Sequence, residues 1–247
     1  EERNLRDVLS DIEHQERGVV RIGASMARGT LFLPRILPDF HRRYPQVEVR
    51  FSEGLSSELE GRISRGELDF VIVLSDRCGP DLVEHDLLTD QVYLCVPESL
   101  LQQYYSGEEI ERIKEESGQG ANIRSFARLP FALMTNRLGG RIWECFQREG
   151  ITPAAYFKGP STSQILPLCV RGICACYCTH MSLVEKREQL GEHINVFPLL
   201  DQGQPVVQRI SLLRHKQRYL THFSKYFMEL LFDTVARMER IQVVHTV

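Results

Sequence analysis

Ser25, Thr30, Ser56, Thr135, Ser161 and Thr162 all fall at predicted strand-to-helix junctions, where hydroxyls and free backbone N–H groups can hold an anion. The same donors serve ordinary helix N-caps, so at any single position capping alone is an equal reading. Recurrence in both halves of the chain is what gives the set weight. Arg28 and Arg137 stand in two of these junctions, one in each half, and a guanidinium grips a carboxylate with two bonds. A solvated surface arginine is the plain alternative.

A second group is sulfur-based. Cys174, Cys176 and Cys178 alternate along a predicted strand, with His180 two residues later, which raises a thiol sensor or a soft-metal site. Alternation puts the three thiols on one buried face, whereas tetrahedral zinc sites draw paired cysteines from turns. Small buried hydrophobes are the simpler reading, so neither a metal nor a cofactor is expected. Enzyme signatures are missing: there is no Gly-x-Ser-x-Gly, no phosphate-binding Gly-x-x-x-x-Gly-Lys, no His-Glu-x-x-His and no Gly-x-Gly-x-x-Gly. Asp69, in Gly-Glu-Leu-Asp-Phe, reads as a turn anchor. The chain is expected not to be an enzyme.

Composition narrows the classes further. With 247 residues, 43% of them hydrophobic and 26% charged, the chain can bury one large core or two small ones. Thirty Lys plus Arg against 33 Asp plus Glu leave a net charge of −3, not the basic balance of a domain that grips phosphates. No apolar run reaches the roughly 18 residues of a membrane helix. Seven cysteines, an odd number without dense spacing, fit a reducing cytoplasm better than a secreted disulfide framework.

The elements that position these residues follow from periodicity. Leu5, Leu9 and Ile12 give residues 1–17 one narrow apolar stripe, a helix in need of a partner, ended by Gly18. Residues 19–23 read as a strand, 24–30 as a small-residue turn, and the next stretch as a helix with Pro34 in its first turn and a bend at Pro38. A strand at 47–51 and a helix with a Ser57/Glu60 capping box follow, then the apolar run 68–74, suited to a parallel strand covered on both faces. After a strand at 91–96 and a polar stretch from 97 to 128, a second strand-and-helix series begins, with strands at 131–134, 156–158, 173–177 and 194–199. The last strand, 206–213, and the closing helix, 218–239, return to the first series. The arrangement is α/β: two Rossmann-like lobes joined by two crossovers, lobe I at 18–90 and 208–247, lobe II at 91–207, with a ligand cleft at the carboxyl ends of the strands.

Three stretches carry a more specific signal: Arg17-Gly-Val-Val-Arg-Ile-Gly-Ala-Ser25, the helix with Leu33-Pro34 that ends Phe40-His-Arg-Arg-Tyr-Pro45, and Arg65-Gly-Glu-Leu-Asp69-Phe-Val-Ile, joined in the second lobe by Arg171-Gly-Ile173. Together they resemble the effector-binding domain of LysR-type transcription regulators, and residues 1–17 resemble the end of that family's linker helix. The resemblance implies a fold like type 2 periplasmic binding proteins, a small-molecule effector, a homodimer or homotetramer, and DNA contacted only through an N-terminal helix-turn-helix that this stretch lacks. By position it implies effector contacts at Ser25, Met26, Ala27, Arg28, Gly29 and Thr30, at Ser56, Leu74 and Ser75, at Thr135, Asn136 and Arg137, and at Ser161, Thr162 and Ser163. Met26-Ala27-Arg28 stands where the family often has small hydroxyl residues. An anionic effector is expected because the turn at 25–30 joins hydroxyls, backbone N–H groups, a helix dipole and an arginine.

Two other readings of the same fold compete. A solute-binding protein of a transport system would share both lobes, but unpaired thiols suit an oxidising compartment poorly. A thiol-based redox sensor would put its switch in the cysteine strand, yet buried thiols stay protonated and slow.

Overall fold

An apolar run can be buried on both sides only in a strand flanked and covered by other elements, and Phe70, Val71, Ile72 and Val73 are all at most 1% exposed. Around that strand the computed structural model describes residues 17–74 and 78–247. The expected linker helix, apart from Arg17, and Ser75 lie outside the described residues.

In chain order the main elements are β1 (Arg17–Ala24), α1 (Met26–Arg43), β2 (Gln46–Glu53), α2 (Ser56–Ser64), β3 (Phe70–Leu74) and β4 (Leu82–Pro97). Then come α3 (Glu98–Tyr104), α4 (Gly107–Ser117), β5 (Pro130–Met134), α5 (Arg137–Arg148), β6 (Ala154–Gly159) and α6 (Thr162–Val170). The chain continues through β7 (Cys176–Thr179), α7 (His180–Glu185), β8 (Ile194–Asp201), β9 (Val207–His215) and α8 (His222–Glu239). It divides into two compact units. The first holds residues up to Thr89 with Arg209–Arg240, the second Asp90–Gln208 with Ile241–Val247.

In the first unit β1 pairs in parallel with β2, from Arg17 opposite Gln46 to Ala24 opposite Glu53, and with β3. The last strand, β9, runs antiparallel to β3. Helices α1 and α8 pack together through aromatic side chains. Phe40 meets Phe227 edge-on at 5.3 Å, and Phe227 stacks on Phe70 at 6.3 Å, contacts worth about 0.5–1.5 kcal/mol each beyond the area they bury. Asp69 ties strand, turn and tail together. Its carboxylate accepts the Arg21 backbone N–H at 2.7 Å and the Arg218 Nη2 at 2.7 Å, and both side chains of that ion pair are nearly sealed from water.

Two local expectations fail here. Residues 26–30 are not a turn: α1 starts at Met26, so Pro34 and Pro38 both lie inside the helix. The cause is Ser25, whose extended backbone starts the helix and whose carbonyl accepts the Gly29 N–H at 2.9 Å. Gly29 is buried under Phe51, where a Cβ would lie 2.5 Å from the ring tip and force the ring to move. The capping box at Ser57 and Glu60 does not form either, because α2 begins two residues earlier than that box requires, with Leu55 in the cap position. A true box closes instead at Ser106 and Glu109, at the start of α4.

In the second unit β4 pairs antiparallel with β7, Cys95 opposite Cys176 and Tyr93 opposite Cys178, and with β8. Beside them β5 and β6 pair in parallel, ending with Met134 opposite Gly159. Phe126, Phe131, Phe146, Tyr177 and Phe197 fill the core. Helix α5 lies so close to β5 that a Cβ on Gly139 would overlap the Met134 carbonyl oxygen at 1.7 Å. The strand expected at 173–177 forms as Cys176–Thr179, preceded by Ala175, which bridges in parallel to Phe131 of β5 by donating to the Pro130 carbonyl and accepting the Ala132 N–H. The chain end needs a correction too. Ile241–Val247 belongs to the second unit rather than to lobe I. His245 exchanges both backbone hydrogen bonds with Val196, and the Val247 N–H donates to Asn195 Oδ1 at 2.9 Å. Among the described residues no helix is long and apolar enough to cross a membrane.

Replacing Asp69 by Ala strands the Arg218 guanidinium without its buried counter-charge, and such losses cost about 3–5 kcal/mol. Urea unfolding of Asp69→Ala should register that drop. A change below ~1 kcal/mol would mean that the pair is solvated and carries no structure.

Candidate functional site

Because β1, β2 and β3 run in parallel, their carboxyl ends lie on one edge, and the residues that follow them gather there. Ser25 occupies the N-cap of α1, yet its hydroxyl does not cap the helix. The first-turn N–H groups of any helix lack intrahelical acceptors, and this one has no acidic residue in its first turn to offset the positive dipole end. Arg28 Nη1 donates to Ser25 Oγ at 3.4 Å, drawing the guanidinium toward the same end. Met26, Ala27 and Thr30 are exposed, Gly29 buried, and Ser25 and Arg28 half-buried. Ser56 joins the group through Oγ, which accepts the Leu74 backbone N–H at 3.3 Å.

The second unit repeats the device at the paired ends of β5 and β6. The Thr135 N–H donates to the Gly159 carbonyl at 2.9 Å. Asn136 is spent on structure: Oδ1 accepts the Gly139 N–H at 3.1 Å as the cap of α5, while Nδ2 donates to the Pro160 carbonyl at 3.0 Å. Thr162 Oγ1 contacts Met134 Sδ at 3.9 Å, Ser161 holds the N-cap of α6 without a side-chain bond, and Ser163 is exposed. Arg137 opens α5 and is exposed. Among the residues singled out from sequence, hydrogen bonds link Ser25 with Arg28, Ser56 with Leu74, and Asn136 with the Pro160 carbonyl just ahead of Ser161. None of the hydroxyls at Ser25, Ser56 and Ser161 makes a cap bond, and the side chain that does cap a helix here, Asn136, is not among the expected caps.

Tyr177 is the residue that sequence reasoning missed. Its buried hydroxyl accepts the Met134 N–H at 2.7 Å, fixing the end of β5 next to Thr135, and burial pushes its pKa up to about 12. Its signal was present in the alternation Cys176-Tyr177-Cys178, which turns the tyrosine to the face opposite the thiols.

The thiols regroup as well. Cys174 lies ahead of β7, and the sulfurs that meet are those of Cys95, Cys176 and Cys178, all within 4.8 Å of one another and fully buried. Cys169 Sγ donates to the Cys95 carbonyl at 3.4 Å. Burial pushes the Cys174 thiol up to about 12 and Cys176 higher than an ordinary thiol, whereas hydrogen bonds from Cys176 and then Cys178 hold Cys95 down.

The family model for the LysR substrate binding domain matches residues 13–236. The chain belongs to the LysR substrate-binding-domain family. Among curated relatives, the uncharacterized HTH-type transcriptional regulator YcgK of Bacillus subtilis (strain 168) is 26% identical over 239 residues, which cover 92% of this chain and 71% of that protein. The probable RuBisCO transcriptional regulator of Trieres chinensis is 27% identical over 95 residues, only 31% of its length. Of solved structures, the BenM effector binding domain with its effector benzoate superposes with a TM-score of 0.65 at 13% identity, over 91% of this chain and 95% of that one. The effector binding domain of QuiR in complex with shikimate gives 0.61 at 15% identity, over 90% and 98%. At these identities the likeness is one of fold, the type 2 periplasmic-binding-protein arrangement.

In this LysR domain the Tyr177 hydroxyl should be worth what a buried hydrogen bond to a backbone donor is worth. Tyr177→Phe leaves the Met134 N–H unpaired, so denaturant unfolding should show a loss of about 1–3 kcal/mol. An unchanged midpoint would mean that water or another acceptor takes its place.

Proposed function

We propose that this LysR domain is the sensing part of a transcription regulator that takes a small organic anion, with the anionic group at the start of α1. The observation that carries the reading is Ser25, an N-cap residue whose hydroxyl is not used for capping and toward which Arg28 extends its guanidinium. Backbone N–H donors, a hydroxyl and a full positive charge then converge on one point, the chemistry that a carboxylate needs. Benzoate and shikimate, bound by the two similar domains, are both carboxylates. Ser56 and Leu74, joined by a hydrogen bond, follow in the same unit, and Thr135, Arg137, Ser161, Thr162 and Ser163 make up the corresponding segments of the second unit.

No catalysis is proposed at these segments, since none brings a nucleophile together with a base. The effector would act by differential affinity for two states of a homodimer or homotetramer, with a DNA-binding head elsewhere in the longer, cytoplasmic protein responding.

Thermal shift with a panel of aromatic and alicyclic carboxylates tests the reading, because a ligand at 100 times its Kd stabilises the fold by about 2.7 kcal/mol. For any binder so found, Arg28→Ala should weaken affinity by about 1.5–3 kcal/mol, the worth of a charge-assisted hydrogen bond, with little change in the unliganded melting temperature. A panel in which only neutral or cationic compounds bind, or an anion indifferent to both Arg28→Ala and Ser25→Ala, would reduce the junction to a helix start.

A further inference from the structure

We propose that Cys95, Cys176 and Cys178 form a site for one thiophilic d10 metal ion, zinc(II) or copper(I), with Cys169 placed to add a fourth sulfur. The three sulfurs lie within 4.8 Å of one another. A metal–thiolate bond of about 2.3 Å puts sulfurs ~3.8–4.0 Å apart around a tetrahedral or trigonal centre, so the group needs to close by roughly an ångström at most. The positions are rigid. Cys95 and Cys176 are direct partners across β4 and β7, Cys178 follows two residues along the same strand and so on the same face, and Cys169, on α6, lies beside the group with its thiol donating to the Cys95 carbonyl at 3.4 Å.

The donor set selects the ion. It contains sulfur alone, with no imidazole or carboxylate in the group, and all four cysteines are fully buried. Thiolate-only sites favour soft ions over magnesium, calcium or manganese. Each thiol that becomes a ligand gives its proton to solvent as the metal–sulfur bond forms, with no change of oxidation state. Sealed sulfurs of this kind are loaded before the surrounding core closes, so the ion should exchange slowly. Simple core packing, the expectation from sequence, explains the burial of each cysteine but not the convergence of three from two strands. Helix α6, which supplies Cys169, also carries Ser161 as its cap and Thr162 and Ser163 in its first turn. An ion that tied α6 to the sheet would stiffen that segment, and the site stands whether or not those hydroxyls meet an effector.

The test is to make the full chain in cells supplied with zinc or with copper, purify it under reducing conditions and count bound metal by elemental mass spectrometry. Expected is about one ion per chain of one of the two metals, with X-ray absorption at its edge showing three or four sulfur neighbours and no nitrogen or oxygen. Cys95→Ala, Cys176→Ala and Cys178→Ala should each weaken retention against a chelator by at least ~100-fold, beyond what loss of an outer-shell partner costs. Cys174→Ala and Cys145→Ala should leave it unchanged. The absorption measurement on the native chain keeps the proposal open to refutation even where a variant fails to fold. Metal below ~0.1 ion per chain from both cultures, a nitrogen or oxygen shell, retention that survives all three substitutions, or a Cys95–Cys176 disulfide in metal-free protein would overturn it.

Discussion

Parallel pairing is the constraint from which the rest follows. Two parallel strands cannot be joined by a tight turn, so the chain must leave each carboxyl end, cross the sheet as a helix and return. In the first unit β1, β2 and β3 obey this, and in the second β5 and β6 do. Each crossover places a helix N-terminus beside a strand end, which is why Ser25, Ser56, Asn136 and Ser161 all stand where backbone donors are unpaired. The candidate site is thus a by-product of topology, and the side chains at those ends decide what it can hold.

Two kinds of polar group stand at these ends, and their hydrogen bonds tell them apart. Asn136, Tyr177 and Asp69 have partners within about 3 Å, which makes them structural, and removing any of them leaves a buried group unsatisfied. Ser25 and Ser161 occupy cap positions without a side-chain cap bond, Ser25 Oγ accepting from Arg28 instead, and the helices behind them start without an acidic residue to balance the dipole. A protein optimised only for stability would fill such positions with capping bonds, each worth about 1 kcal/mol. Leaving the cap bonds unmade is the pattern expected of binding segments.

Periodicity made the fold class legible, because an apolar run like the one ending in β3, set within repeated strand–helix alternation, fits a covered parallel sheet and little else. Element starts were harder. Nothing in Met26-Ala27-Arg28-Gly29-Thr30 separates a turn from a first helical turn until Gly29 is seen under Phe51, a contact between residues far apart in sequence that no local pattern reports. The same holds for the chain end, placed by backbone bonds to Val196, and for the thiols, where alternation pointed to Cys174 but pairing of β4 with β7 brought in Cys95. Ser57 and Glu60 had the spacing of a capping box, as did Ser106 and Glu109, and only the second pair sits where its helix begins. Local sequence narrows the candidates, and register chooses among them.

The proposed function turns on an anion held at the start of α1. Amide hydrogen exchange with and without saturating benzoate or shikimate, whichever the carboxylate panel shows to bind, addresses it most directly. Anion binding at the start of α1 predicts slowed exchange at residues 26–30, with the β4 and β8 core unchanged. Protection elsewhere, with residues 26–30 exchanging at their unliganded rate, would contradict it.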